Sequence, residues 1–208
     1  MPTANQTRTV VLSETRQLFR HVIKNHFEES GYTVECATGH FLTEMTCHPY
    51  KDIPLIVLGV AGSGWEVRNT LRLIHYFSTR GYEVAVWVPE DDRLILRLML
   101  GLGAFHVLAE ERLTEELPKL SLNHSFLTPV AQHLPGKELI KTLSPSELDI
   151  LLDASRGMKS KEIATLRHIS YKTVSTHKRN ACQRLGLENS AEWFELLASI
   201  DKIYTRHM

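Results

Sequence analysis

The sequence predicts an α/β unit with a five-stranded parallel sheet, followed by an all-α unit of four helices. Two observations predict the first unit. Short β-branched or apolar runs alternate with segments of helical period from residue 8 to residue 117, the pattern of βα units whose right-handed crossovers make a parallel sheet. Residues 53–60 are a continuous apolar run, as a strand buried on both faces requires, and 83–88 read as another buried strand. One observation predicts the second unit: after residue 141 the period is helical throughout.

In order, residues 8–12 form a strand. Residues 15–29 place Leu18, Phe19, Val22, Ile23 and Phe27 at helical spacing, and Gly31 stops that helix. Residues 32–37 alternate as a second strand, and 41–47 suit a short helix. The buried strand 53–60 comes next, then helix 65–79 closed by Gly81, strand 83–88, helix 91–100, strand 103–108 and a last helix 111–117 ended by Pro118. Asp91 and Asp92 read as cap residues of the fourth helix. Five strands in about 120 residues suggest the flavodoxin-like order 2-1-3-4-5. Residues 1–122 make this domain. Residues 123–140, with Pro129, Pro135 and Gly136, read as a linker with a short helix near 129–134.

The domain from 141 to 208 opens on Ser144, Pro145, Ser146 and Glu147: a Ser cap, Pro at the first helical position and Glu three residues after the cap. Leu148, Leu151 and Leu152 give this helix a buried stripe, and Gly157 ends it. A short helix over 161–167 turns Ile163, Ala164 and Leu166 inward. Ser170 caps a third helix, 171–185, ended by Gly186. Asn189 or Ser190 caps a fourth, where Trp193, Leu197 and Ile200 share one face. Two short helices joined by a tight turn, the second densely basic, are a helix-turn-helix.

Composition excludes several classes. The chain is 43% hydrophobic and 23% charged, enough apolar material for real cores. No apolar run reaches the roughly 18 residues of a membrane span, and residues 1–8 lack the apolar stretch of a signal peptide. Cys36, Cys47 and Cys182 are too few and too unpatterned for a disulfide framework or a thiolate zinc site. None of the histidines has ligand spacing, and Cys47 and His48 are an isolated pair, so no metal or cofactor is expected. No nucleophile and base converge, so no enzyme is expected. The chain reads as cytosolic.

Charge divides the chain. Of 24 basic and 24 acidic residues, residues 1–140 hold 13 and 16, leaving 11 and 8 for residues 141–208, so the halves carry −3 and +3. The stretch 156–184 holds Arg156, Lys159, Lys161, Arg167, Lys172, Lys178, Arg179 and Arg184 against Glu162 alone. Such a segment suits a polyanion; the bland alternative is a solvated basic face.

Residues 143–197 resemble the LuxR/FixJ-type DNA-binding domain, also called the GerE domain. The matching residues are Leu143, Glu147, Leu151, Gly157, Lys161 to Ala164, Ile169, Ser170, Lys172, Thr173, Val174, His177, Leu185 and Gly186. Lys159 departs from the Ser or Thr cap usual in the family; Ser160 is the substitute expected. The resemblance implies that Ser175, Thr176 and Arg179 contact bases. Arg179 suits a guanine edge, and the two hydroxyl residues suit bases or a thymine methyl. Lys161, Tyr171, Lys172, His177 and Lys178 then line the phosphates. It implies double-stranded DNA as partner, with paired domains on paired half-sites. Part of the Trp193, Leu197 and Ile200 stripe is expected to meet a second subunit. The partner would be a second copy or a related response regulator, and RNA polymerase is a further partner the family suggests.

The first domain resembles the receiver that usually precedes this effector, in pattern more than in identity. Its phosphorylation chemistry is missing. Where a receiver has its phosphoacceptor Asp, this chain has Gly59 or Val60. Of the two acids that hold magnesium only Glu14 remains, with Thr15 beside it. Val88 replaces the hydroxyl residue and Glu110 the Lys. Aspartyl phosphorylation and Mg²⁺ binding are therefore not expected. The reading is a sequence-specific transcription regulator working without a phosphoryl relay, its first domain serving dimerisation or partner binding. Two alternatives stand beside it. One is a partner that captures another LuxR/FixJ-type regulator. The other is a sensor of a small ligand such as a nucleotide at the loop Gly59 to Gly64, which follows a strand and precedes a helix but lacks the P-loop Lys.

Overall fold

The computed structural model describes residues 9–37, 55–89, 92–122 and 140–205. The expected helices at 41–47 and 129–134, and Asp91, lie outside them. The sheet is wholly parallel, in the order β2-β1-β3-β4-β5. Its strands are β1 (Thr9–Ser13), β2 (Thr33–Cys36), β3 (Leu55–Gly59), β4 (Glu83–Val88) and β5 (His106–Ala109). The expected strand order is therefore the observed one.

Strand alternation sends side chains to two different layers. Val10, Leu12, Val57, Ala85, Trp87 and Leu108 pack with Ile23 and Phe27 of α1 (Gln17–Glu29) and Leu113, Leu117 and Leu120 of α4 (Leu113–Leu122). Val11, Ile56, Leu58, Val84, Val86 and Val107 face α2 (Gly64–Ser78) and α3 (Arg93–Gly101). Asp92 caps α3 by accepting from the amides of Leu94 (2.7 Å) and Ile95 (3.3 Å). One boundary is corrected. Pro118 does not end the last helix; it lies inside α4, which continues to Leu122. Proline removes a helical donor, but buried Leu117 and Leu120 hold the helix to the sheet on both sides of it.

The second unit comprises α5 (Pro145–Ala154), α6 (Ser160–Leu166), α7 (Tyr171–Arg184) and α8 (Ser190–Thr205). The capping box at α5 is formed: the Ser144 amide donates to Glu147 Oε2 (2.8 Å), and the Glu147 amide to Ser144 Oγ (3.3 Å). At α6 the expected Ser160 cap is corrected. Lys159 holds the cap position, and its amide donates to Glu162 Oε2 (2.7 Å), so the glutamate closes the helix start alone. Asn189 caps α8 through the amides of Ala191 and Glu192. Ile150, Ile163, Ala164 and Val174 form the small core of the helix-turn-helix.

The two units share one core. Leu94, Ile95, Leu98, Met99 and Leu102, at and just past α3, join Leu185, Trp193, Leu196, Ile200 and Ile203 in a single buried cluster. Gly101 lets the units approach closely at this seam: a Cβ there would fall on Leu185 Cδ2, so Leu185 would have to shift. Polar contacts cross the same seam. Buried Arg97 donates to the carbonyls of Leu185 (3.2 Å) and Gly186 (2.8 Å) at the end of α7. Arg93 pairs with Glu192, Ser199 donates to Asp92 Oδ2 (2.6 Å), and His75 Nε2 lies 2.8 Å from the Leu143 carbonyl.

Candidate nucleic-acid interface

Helix α7 is positioned by Val174 and Ala181, both buried as expected. Its start is fixed by Ser170, whose Oγ accepts the Thr173 amide at 3.0 Å. The turn before it carries His168 at φ 54, the left-handed region. That turn is tied to α5 by Arg167, which pairs with Asp149 (2.7 Å) and with Asp153. Hydrogen bonds and charge from these carboxylates outweigh desolvation and raise the guanidinium pKa.

The rotation of about 100° per residue sorts the rest of α7. Lys172, Thr176, Arg179 and Gln183 fall within one stripe opposite Val174, and all four are exposed. Tyr171 at the helix start and Lys161 on α6 are exposed beside it; Ser175 and His177 are half-buried on the flanks. Ser175 Oγ donates to the Tyr171 carbonyl (3.1 Å) and Thr176 Oγ1 to the Lys172 carbonyl (3.0 Å). Both hydroxyls therefore spend their proton on the helix and present lone pairs outward.

Lys178 does not join this stripe. It lies four residues from buried Val174, about 40° round the helix. Its Nζ sits 5.2 Å from the Trp193 ring centroid and 4.8 Å from that of Phe194. The signal was in the spacing, since a residue four after a core position flanks the core. Gln183, which continues the exposed stripe, was not singled out from sequence and was legible by the same rule.

The stripe on α8 is turned inward. Trp193 and Ile200 are 1% and 0% exposed, inside the core shared with α3, so in this arrangement neither meets a second subunit. Leu197 is half-buried, and Phe194 is the large apolar residue α8 presents outward, at 62% exposure.

In the first unit, the corner at Glu14, Gly59 and Glu110, where the receiver resemblance places the phosphorylation positions, is filled by an ion-pair network. Glu14 is buried and accepts from the Trp87 indole (2.7 Å), the Arg16 amide (2.8 Å) and the Arg16 guanidinium (2.9 and 3.1 Å). Arg16 also meets Glu110 at 2.6 Å. The two carboxylates hold Arg16 well above its ordinary pKa against the cost of its burial. A Cβ at Gly59 would fall on Glu14 Oε2. Thr15 is exposed, and Val60 and Val88 are buried core residues. At the loop Gly59 to Gly64, the Glu66 carboxylate accepts the Ser63 amide at 2.7 Å, which lowers the Glu66 pKa. The chain's own acid thus takes an amide that an anionic ligand would use.

Among the described residues no three His, Cys, Asp or Glu side chains gather as a metal site. No described helix is long and apolar enough to cross a membrane.

Residues 141–196 match the model of the luxR family of bacterial regulatory proteins. The transcriptional regulatory protein TdiR of Thauera aromatica is 34% identical over 95 residues, 43% of this chain and 42% of TdiR, so the chain spans less than half of that relative. The transcriptional regulatory protein RcsB of Escherichia coli (strain K12) is 24% identical over 163 residues, 73% of this chain and 76% of RcsB. A structure of RcsB from Salmonella enterica serovar Typhimurium, bound to the rprA promoter with a phosphomimetic, shares the fold. Its TM-score is 0.53 at 18% identity, covering 93% of this chain and 99% of that one. Residues 141–196 thus form a luxR-family domain of bacterial regulatory proteins, carried behind a flavodoxin-like receiver fold.

Proposed function

We propose that this protein is a sequence-specific transcription regulator that binds double-stranded DNA through α7 and works without aspartyl phosphorylation. The observation that carries the reading is the exposed stripe Lys172, Thr176 and Arg179, which the first unit leaves uncovered although it grips the neighbouring α8 at Glu192 and Ser199. With α7 in the major groove, Arg179 has the fork for a guanine edge. Ser175 and Thr176, with their protons on backbone carbonyls, accept from cytosine or adenine amino groups. Lys161, Tyr171 and Lys172 meet phosphates. RcsB has been seen as dimers bound to DNA, which supports the same mode here.

The first unit, residues 1–122, acts as a fixed scaffold and binding platform. A receiver accepts a phosphoryl group on an Asp beside a metal. Here the space at Gly59 holds the Glu14 carboxylate, and the cation between the acids is Arg16. The exposed Leu18 and Val22 on α1, at 72% and 41%, favour an association role for this unit. Pairing through Trp193 and Ile200 would require α8 to leave α3; Leu197 and Phe194 are within reach without that. The test is incubation with acetyl phosphate and Mg²⁺, followed by intact mass and a duplex-binding titration. No adduct and no change in affinity are expected. An acid-labile phosphoryl adduct on residues 1–122 overturns the phosphorylation reading, and absence of duplex binding at low salt overturns the DNA reading.

A further inference from the structure

We propose that Gln183, on the last turn of α7, is a further specificity-determining residue that reads an adenine about two base pairs beyond the guanine of Arg179; the assignment rests on α7 lying in the major groove. Gln183 follows buried Val174 by nine residues, which places it about 180° round the helix, opposite the core. Arg179 stands at about 140°, so Gln183 is nearer the centre of the exposed stripe than the residue assigned to guanine. Both are exposed. The other amide on this part of the helix, Asn180, is half-buried and lies about 60° off the centre of the stripe. No hydrogen bond among the described residues engages the Gln183 side chain. Along the helix axis Gln183 lies about 6 Å beyond Arg179, against about 3.4 Å for one base step.

A helix end leaves its last carbonyls without intrahelical donors, and such turns fray. Here they are held. The Arg184 carbonyl accepts the Lys141 amide (2.6 Å), and Arg97 of the first unit donates to the carbonyls of Leu185 (3.2 Å) and Gly186 (2.8 Å). Leu185 is buried against the first unit beside Gly101. The first unit thus fixes this turn from the side opposite the stripe, and Gln183 projects from a rigid element. The cation of the same turn is spent elsewhere: Arg184 pairs with Glu147 (3.1 Å) and donates to the Thr142 carbonyl (2.8 Å). What the turn offers DNA is a neutral planar amide with one donor side and one acceptor side. Adenine presents the matching N6 donor and N7 acceptor in the major groove, whereas guanine presents two acceptors there. A phosphate would be met better by a cation.

The test starts by selecting duplexes from a random library with the full chain. Each selected position is then permuted through the four base pairs and titrated by fluorescence anisotropy. The parent is expected to prefer adenine on the order of tenfold at one position, about two pairs from the position where Arg179→Ala abolishes preference. Gln183→Ala should remove the adenine preference while the Arg179 position keeps its own. Gln183→Arg should move the preference at that same pair to guanine. Because the residue is exposed, both variants should keep the parent Tm. If the parent discriminates at the Arg179 position but Gln183→Ala leaves every base preference intact, the Gln183 assignment is overturned and the DNA reading stands. Equal weakening of all duplexes by Gln183→Ala makes the residue a backbone contact and also overturns it. Failure of the parent to bind any duplex overturns the DNA reading, and the Gln183 assignment falls with it.

Discussion

Gly59 and Glu14 compete for one space. A Cβ on Gly59 would fall on Glu14 Oε2 and stand 2.8 Å from the Trp87 indole nitrogen. The glycine is therefore tied to the carboxylate beside it, which in turn is held by Arg16 and Trp87. A carboxylate placed at 59 would stand against Glu14 in one buried corner.

Gly59→Ala should cost about 1–3 kcal/mol, the usual range for overpacking a tight site. Gly59→Asp should cost more, because like charges are added to the overlap. Urea unfolding of the two variants measures both. A Gly59→Asp protein as stable as the parent that accepts phosphate from acetyl phosphate would show the corner to be intact machinery.

The continuous core across the seam predicts one cooperative unfolding transition for the whole chain. Gly101→Val places its side chain into Leu185 and should split that transition into two, with an increased radius of gyration in solution scattering. Arg97→Ala removes donors to two carbonyls at the end of α7 and should cost about 1.5–3 kcal/mol, the range for hydrogen bonds to a charged group. Two separate transitions in the unaltered protein would mean that the units do not share a core.

Acid should loosen the same seam. Glu192 has its pKa lowered from 4.5, first by the hydrogen bond from the Glu188 amide, against an opposing desolvation effect, with further lowering by Arg93. A depressed carboxylate contributes stability that is present above its unfolded value and lost as pH falls through the folded one. Stability should thus be level above the ordinary carboxylate range and decline below it. Glu192→Gln should flatten that decline, and an unchanged acid limb in the variant would remove Glu192 from the account.

Strand positions, most cap residues and the position of the helix-turn-helix were legible because each rests on local patterns, whereas the strand order followed from the α/β class. Examples are the apolar run of β3, the Ser144 and Glu147 reciprocal cap, and the buried Val174 and Ala181 pair. The course of α4 past Pro118 was not, because packing of Leu120 on the sheet overrides the local penalty. What covers Trp193 and Ile200 was also hidden. An apolar stripe says only that a face is covered, and the cover here is α3, which lies about a hundred residues earlier in the chain. Glu14 could be noted as a leftover acid, but its partner Arg16 gained meaning only once Glu110 arrived from the end of β5.

The last prediction separates reading from positioning on α7. Arg179 and Lys172 share the exposed stripe, while Lys178 stands apart against α8. Arg179→Ala should cost about 1–3 kcal/mol on the matched duplex and much less on a scrambled one, since a guanine edge is lost. Arg179→Lys should recover only part, because a point charge keeps attraction without the paired geometry. Lys172→Ala should weaken both duplexes alike and lower the salt slope by about one unit. Lys178→Gln should leave slope and specificity unchanged, in contrast to Lys172, although both are lysines of one helix. Salt-titrated binding of all four variants on both duplexes decides the matter. Equal losses on the two duplexes for Arg179→Ala would make that residue a phosphate contact. A reduced slope for Lys178→Gln would mean that the lysine leaves Phe194 when DNA binds.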